Sequence, residues 1–101
     1  MAVLGVLNTI AGGRTQYEAI TASGQYTVTL DNTANYLFTI STLGNVGVSI
    51  VSYLLTDGLK ETETTSRGGV YYYLIFKKDI VEFNVSNATV DKPVKIESFI
   101  A

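Results

Sequence analysis

The stretch Val70-Tyr71-Tyr72-Tyr73-Leu74-Ile75-Phe76 decides the fold, because these seven consecutive side chains contain no polar atoms other than three tyrosine hydroxyls. Successive side chains of a β-strand point to opposite faces, so a strand with this sequence is apolar on both faces. One face can cover the core of the domain. The other face needs a second layer, a ligand or another subunit. The stretch therefore predicts a β-strand in a protein that binds or assembles.

The two faces of this strand differ in composition. We place the first row of side chains in the core, namely Val70, Tyr72, Leu74 and Phe76. The opposite row, Tyr71, Tyr73 and Ile75, is predicted to face outward as a protein interface, since tyrosine is enriched at such surfaces. Two alternatives remain open: Tyr71 and Tyr73 stack on a sugar ring, or the chain's own residues 2–10 cover this face.

The composition also indicates a surface that is partly buried by a partner. Only 16% of the 101 residues are charged and 47% are hydrophobic, whereas about 25% charged residues is typical of globular proteins. Small domains have a high ratio of surface to volume, so they need proportionately more polar surface. We therefore expect a homo-oligomer, a place on a larger protein lattice, or both. An apolar-rich monomer is the alternative.

The rest of the chain predicts an all-β fold. Short runs of β-branched and aromatic residues alternate with turn residues, as in Gln25–Leu30 and in the run from Tyr36 through Phe38 to Ile40. Leu59–Thr65 is polar and charged, which is typical of an edge strand. About eight strands with short turns predict one antiparallel β-sandwich domain, jelly-roll-like, over residues 1–101. A small β-barrel is the alternative.

The N-terminal segment is a second candidate for contact with a partner. Residues 2–10 are apolar and uncharged, and Gly12-Gly13 follows them. They predict either a first strand of the sandwich or, with residues 1–13 as an arm, a segment exchanged between subunits. The candidate interface residues of this segment are Val3, Leu4, Val6 and Leu7.

The sequence contains few residues that carry catalysis. Histidine and cysteine are absent, and with them the commonest general base near neutral pH and the thiolate nucleophiles. Glu61 and Glu63 are two residues apart on one predicted strand, about 7 Å from each other along the backbone. Glycosidase acids also come in pairs, but they need a deep cleft. We predict no catalytic residues and a protein that is not an enzyme.

Cofactors, metals and nucleic acid are likewise not predicted. Several Asp and Asn residues fall in turns, where their oxygen atoms could bind calcium, but no EF-hand spacing occurs. The seven Lys and Arg residues are scattered and the net charge is −2, which disfavours nucleic-acid binding.

Localisation follows from the N-terminus and the apolar runs. Met1-Ala2-Val3-Leu4 lacks the basic start of a signal peptide, and the run from Val46 to Leu55 is shorter than the roughly 20 residues that cross a bilayer. We expect a protein that is not secreted through a signal peptide, is cytoplasmic when synthesised, and has no membrane partner.

In general character the chain resembles the small capsid decoration and accessory virion proteins of tailed phages. Those proteins are short, lack catalytic side chains, start without a signal peptide, and often trimerise or exchange terminal arms. The resemblance implies a non-enzymatic assembly protein located in a virion. A carbohydrate-binding module or a receptor-binding tip domain is the alternative, with the tyrosines as its platform.

Overall fold

The computed structural model describes residues 2–6, 14–16 and 20–100. Nine strands occur in these ranges and no helix does. They are β1 (Ala2–Val6), β2 (Arg14–Gln16), β3 (Gly24–Thr29), β4 (Asn35–Thr42), β5 (Gly47–Tyr53), β6 (Glu61–Thr65), β7 (Gly69–Phe76), β8 (Ile80–Ser86) and β9 (Lys95–Ile100).

The strands form two sheets packed face to face, which confirms the predicted β-sandwich. One sheet has five strands in the order β1-β3-β8-β5-β6, and the other has four in the order β2-β9-β4-β7. Neighbouring strands are antiparallel except β1, which pairs in parallel with β3. The barrel alternative is not what forms, because the two sheets remain separate.

The core lies between the sheets and follows the alternation of the strands. Phe38 and Ile40 of β4 are fully buried, and the ring of Phe38 lies 5.6 Å from that of Phe83 on β8. Burying such rings stabilises the fold by roughly 1.5–3 kcal/mol each. Val28, Val81 and Ile96 are also buried on the inner faces of their strands.

Strands β6 and β7 are both edge strands. Strand β6 is the edge of the five-stranded sheet, as its charged sequence predicts. The two apolar faces of β7 would suit a position in the middle of a sheet, but β7 is the edge of the four-stranded sheet and pairs, within the described residues, only with β4. The short connection through Ser66, Arg67 and Gly68 brings the two edge strands to the same side of the sandwich.

Candidate functional site

The free edge of β7 is the first element of the candidate site. Within the described ranges, β4 is the only strand hydrogen-bonded to β7. In an antiparallel pair, hydrogen-bonded and non-bonded residues alternate, so about half of the β7 backbone groups point away from β4. An edge strand eight residues long with an apolar sequence is a template for pairing with another chain.

The inward row of β7 consists of the three residues that were predicted to face outward. Ile75 is 6% exposed and Tyr73 packs against the core cluster. Tyr71 is half-buried, and its hydroxyl donates a hydrogen bond of 2.8 Å to the carbonyl oxygen of Arg67. The prediction that this row faces outward was wrong, because these residues lie opposite the inner row of β4.

The outer row of β7 is the exposed apolar surface. Its four side chains share a face that points away from the core, and between half and two thirds of each is exposed. They are Val70 at 55%, Tyr72 at 66%, Leu74 at 54% and Phe76 at 58%. An apolar face on this strand was predicted; the residues that form it are the row that we had placed in the core.

The outer face of the five-stranded sheet is different in character. There the Tyr53 hydroxyl donates to Glu82 Oε2 at 2.8 Å, and Gln25 Nε2 donates to Glu82 Oε1 at 3.1 Å. The Lys60 ammonium group lies 5.1 Å from the centre of the Tyr53 ring. The hydrogen bond from Tyr53 to Glu82, aided by burial and by the charge of Glu82, raises the pKa of Tyr53. Gln25, Tyr53 and Glu82 are thus hydrogen-bonded to one another on this face, whereas the outer row of β7 is apolar.

A groove of about 770 Å³ separates the edges of β6 and β7. Its β7 wall is the stretch from Tyr72 to Phe76, and its β6 wall runs from Glu61 to Glu63. Ile50 and Ser52 of β5 also line it, and both are 2% exposed. The gap between the two sheets is thus open on this side, and buried core residues line it.

The two glutamates of β6 point into this groove. Glu63 pairs with Ile50 and Glu61 with Ser52, so each carboxylate shares the inner face with a buried residue of β5. Lys78 Nζ lies 3.6 Å from Glu61 Oε2. Burial, together with the charge of Glu63 and the neighbouring Tyr71, raises the pKa of Tyr73 across the groove. The groove therefore has a largely apolar wall on β7 and two negatively charged side chains, Glu61 and Glu63, on β6.

The N-terminal candidates are placed only in part. Val3, Leu4 and Val6 lie on β1, which pairs with β3 of the same chain with an irregularity between Val3 and Gly5. Leu7 lies outside the described residues. In the single chain, residues 2–6 form a strand of its own sheet. Exchange of this segment between subunits stays a hypothesis.

Among the residues that the structure describes, no three His, Cys, Asp or Glu side chains lie close enough to hold a metal ion. The described part of the chain also contains no helix long and apolar enough to span a membrane. Tyr71 and Tyr73 do not form the exposed sugar platform that was considered, because both face inward.

No pattern in the sequence identifies the outer row of β7, because the pairing of β7 with β4 decides it. Phe38 pairs with Tyr73 and Ile40 with Tyr71, and directly opposed residues of neighbouring strands point to the same face. Since Phe38 and Ile40 are fully buried, this register decides which face each β7 side chain occupies.

Two solved structures have a fold similar to that of this chain. No protein family and no curated protein sequence matches the chain. A protein of the Bacillus endospore appendages, which form a novel family of disulfide-linked pili, is similar with a TM-score of 0.52 and 16% identity over 84% of this chain and 79% of that one. PliG of Aeromonas hydrophila, a periplasmic inhibitor of g-type lysozyme, is similar with a TM-score of 0.58 and 14% identity over 99% of this chain and 96% of that one. At these identities the likeness shows the sandwich fold alone.

Proposed function

We propose that the protein is a non-enzymatic structural protein that assembles with copies of itself through strand β7. The observation that carries the proposal is the outer row, four large apolar side chains that are each more than half exposed on a strand with a free edge. Contiguous apolar surface of this kind marks interaction sites in soluble proteins. A strand added beside β7 would place its own outward side chains against the outer row and bury part of it.

Two further observations support assembly rather than catalysis. The chain has no histidine and no cysteine, and one wall of the groove beside β7 is formed by the apolar residues Leu74, Ile75 and Phe76. A pilus-forming protein with the same fold is in keeping with such a role. Because this chain contains no cysteine, its own assembly would be non-covalent rather than disulfide-linked.

More specifically, we propose that the protein is a small virion component, such as a phage capsid decoration protein that forms oligomers on a larger lattice. This proposal is supported by the short chain and by its apolar excess. The carbohydrate-binding alternative loses support, since the tyrosines on which it depends turn inward.

Sedimentation equilibrium over a concentration series tests the proposal. The wild-type protein is expected to associate reversibly, and a Tyr72→Thr/Leu74→Thr variant to remain monomeric. Threonine keeps the β-propensity of the strand while it removes the apolar surface. The matched control is Leu55→Thr/Leu59→Thr, which removes two leucines that are 69% and 70% exposed in a loop and should associate like the wild type. A wild-type protein that stays monomeric, or a β7 variant that associates equally well, would overturn the proposal.

A further inference from the structure

The free edge of β7 is matched in length and composition by β7 of a second copy. In the described part of the chain the sheets end in β1, β2, β6 and β7, which have five, three, five and eight residues. The outward residues of β6 are Thr62 and Thr64, too few and too small to cover four large apolar side chains. A second β7 has the full length, an apolar outer row and no charged residue.

The position of the free edge fixes the direction in which two β7 strands can pair. The second copy must turn its own free edge toward the first and keep its outer row on the same side of the sheet, because directly opposed residues share a face. Only a half-turn about an axis normal to the sheet does both. This rotation reverses the strand, so the pair is antiparallel and two-fold symmetric.

The outer row also fixes the register. Outer residues stand opposite outer residues only when the two-fold axis passes at a residue of the strand rather than between two residues. With the axis at Tyr73, Val70 pairs with Phe76 and Tyr72 with Leu74, so every outer residue has an apolar partner. An axis at Tyr72 would leave Phe76 opposite a residue outside β7, and an axis at Leu74 would do the same to Val70.

We propose that two copies pair β7 with β7, antiparallel, about a two-fold axis at Tyr73. The pairing joins the two four-stranded sheets into one continuous sheet. The free N–H and C=O groups of β7 belong to every second residue, and this register sets those of one copy opposite those of the other. The contact is isologous, so association closes at the dimer. This inference rests on the proposed function and adds the partner strand, the register and the symmetry.

The area of the outer row predicts a weak, reversible dimer. Its four side chains are each more than half exposed. Since a whole aromatic side chain buries about 150–250 Å², on the order of 100 Å² of each is open to contact, or roughly 800 Å² over two copies. Stable interfaces bury about 1,200–2,000 Å² in total. The outer row thus supplies about half of such an interface, which is typical of transient association.

The carboxylate of Glu63 limits the strength of this dimer. Glu63 lies on the inner face of β6, lines the groove together with Tyr73, and acts on Tyr73 through its charge. An axis at Tyr73 therefore brings Glu63 of both copies to one shared gap between the sheets, where like charges oppose association. Because Glu63 is exposed, water and salt screen this repulsion, so it weakens the dimer without preventing it.

Introduced cysteines test the register, because the natural chain contains none. Directly opposed residues of an antiparallel pair have Cα atoms about 4.5–5.5 Å apart, within reach of a disulfide, whereas diagonal neighbours at about 7–8 Å are beyond it. A mixture of Tyr72→Cys and Leu74→Cys should therefore form mixed disulfide dimers under mild oxidation, and each variant alone at least about tenfold fewer. Val70→Cys with Phe76→Cys is the second pair of the same register. Leu55→Cys, 69% exposed in a loop, is the control for random collision.

The cross-linking is done at a concentration where the wild type associates, and circular dichroism confirms that each variant folds. Mass spectrometry identifies the mixed dimer, since the two variants differ in mass. Sedimentation equilibrium then compares Glu63→Gln with the wild type. Glu63→Gln should associate at least about threefold more tightly, whereas Asp91→Asn, which removes the same charge from an exposed loop, should match the wild type.

The inference is overturned if the wild type associates but the mixture forms no more disulfide than either variant alone or than Leu55→Cys. Growth of the wild type beyond the dimer would also overturn it, as would an unchanged association of Glu63→Gln. Should Tyr72→Cys or Leu74→Cys fail to fold or associate, the mixture of Val70→Cys and Phe76→Cys decides in the same way. A monomeric wild type would instead overturn the proposed function itself.

Discussion

Ile50 and Glu63 lie directly opposite each other on the antiparallel strands β5 and β6, so a side chain that is 2% exposed shares the inner face of the sheet with a carboxylate. A buried core residue and a charged residue of the groove are thus direct neighbours on adjacent strands. Glu63 also contributes to the raised pKa of Tyr73 on the opposite edge strand. The groove between the edges is therefore an electrostatic feature as well as an opening.

Neutralising this carboxylate should change the ionisation of Tyr73. Burial is the larger cause of the raised pKa and the charge of Glu63 is the next, so Glu63→Gln is expected to lower the pKa of Tyr73 only part of the way toward its ordinary value. An NMR titration of the tyrosine ring carbons measures this. Glu82→Gln is the matched control, because it should act on Tyr53 instead. An unchanged Tyr73 in the Glu63 variant would mean that the two groups do not face each other.

Tyr53 and Tyr73 should make the free energy of unfolding depend on pH in the alkaline range. The pKa values of Tyr53 and Tyr73 are raised above the ordinary value of 10.0, so the folded state favours their neutral forms. Their contribution to the free energy of unfolding is complete below about pH 10 and is lost as the pH rises through the raised values. Urea unfolding at a series of alkaline pH values should show this decline, and Tyr53→Phe should make it shallower. An equal slope in the variant would contradict the role of the hydrogen bond from Tyr53 to Glu82.

Truncation of Phe38 should destabilise the fold far more than truncation of Phe76. Phe38 is fully buried against Phe83, whereas Phe76 is 58% exposed. Phe38→Ala is expected to lower the free energy of unfolding by about 3–5 kcal/mol, and Phe76→Ala by less than about 0.5 kcal/mol. Chemical denaturation at a concentration where the protein is monomeric provides the comparison. Similar losses for both variants would mean that β7 presents its other face to the core.

Asp79 should stabilise two loops at one end of the sandwich. Its carboxylate accepts hydrogen bonds of 2.8 Å from Asn32 Nδ2 and from the backbone amide of Leu55. Asp79→Ala is expected to cost about 1–2 kcal/mol and to speed hydrogen exchange of the Leu55 amide. Asp91→Ala, in an exposed loop, is the control and should change neither. Unaltered exchange at Leu55 in the Asp79 variant would show that the bond is not maintained in solution.

The sequence alone was sufficient to assign the inner and outer faces of strands in which apolar and polar residues alternate. In β4 and β8, apolar and polar residues alternate, and Phe38 and Phe83, which this alternation places inward, are fully buried. Strand β6 could be identified as an edge because the charges of Glu61 and Glu63 are typical of edge strands. For such strands the alternation alone fixes the face, since a slip of one residue would expose the apolar row.

For strand β7, the row that faces the core could not be identified in this way, because both rows of side chains are apolar. Lys77 has the same parity as Tyr73 and Ile75, which favoured an outward position for that row. In the structure β7 ends at Phe76 and Lys77 has a φ of 48°, so the alternation does not extend to it. The order of strands in the sheet was also beyond the sequence, because pairing of β7 with β4 and not with a second neighbour depends on contacts that are distant in the chain.

Hydrogen–deuterium exchange of β7 at low and at high protein concentration tests the central claim most directly. If copies assemble through this strand, the amides of residues 70–76 that point away from β4 should exchange at least severalfold more slowly at high concentration. Those of the loop at residues 54–60 should not change. Equal exchange of β7 at both concentrations, while sedimentation shows association, would contradict the account, because the copies would then meet through some other surface.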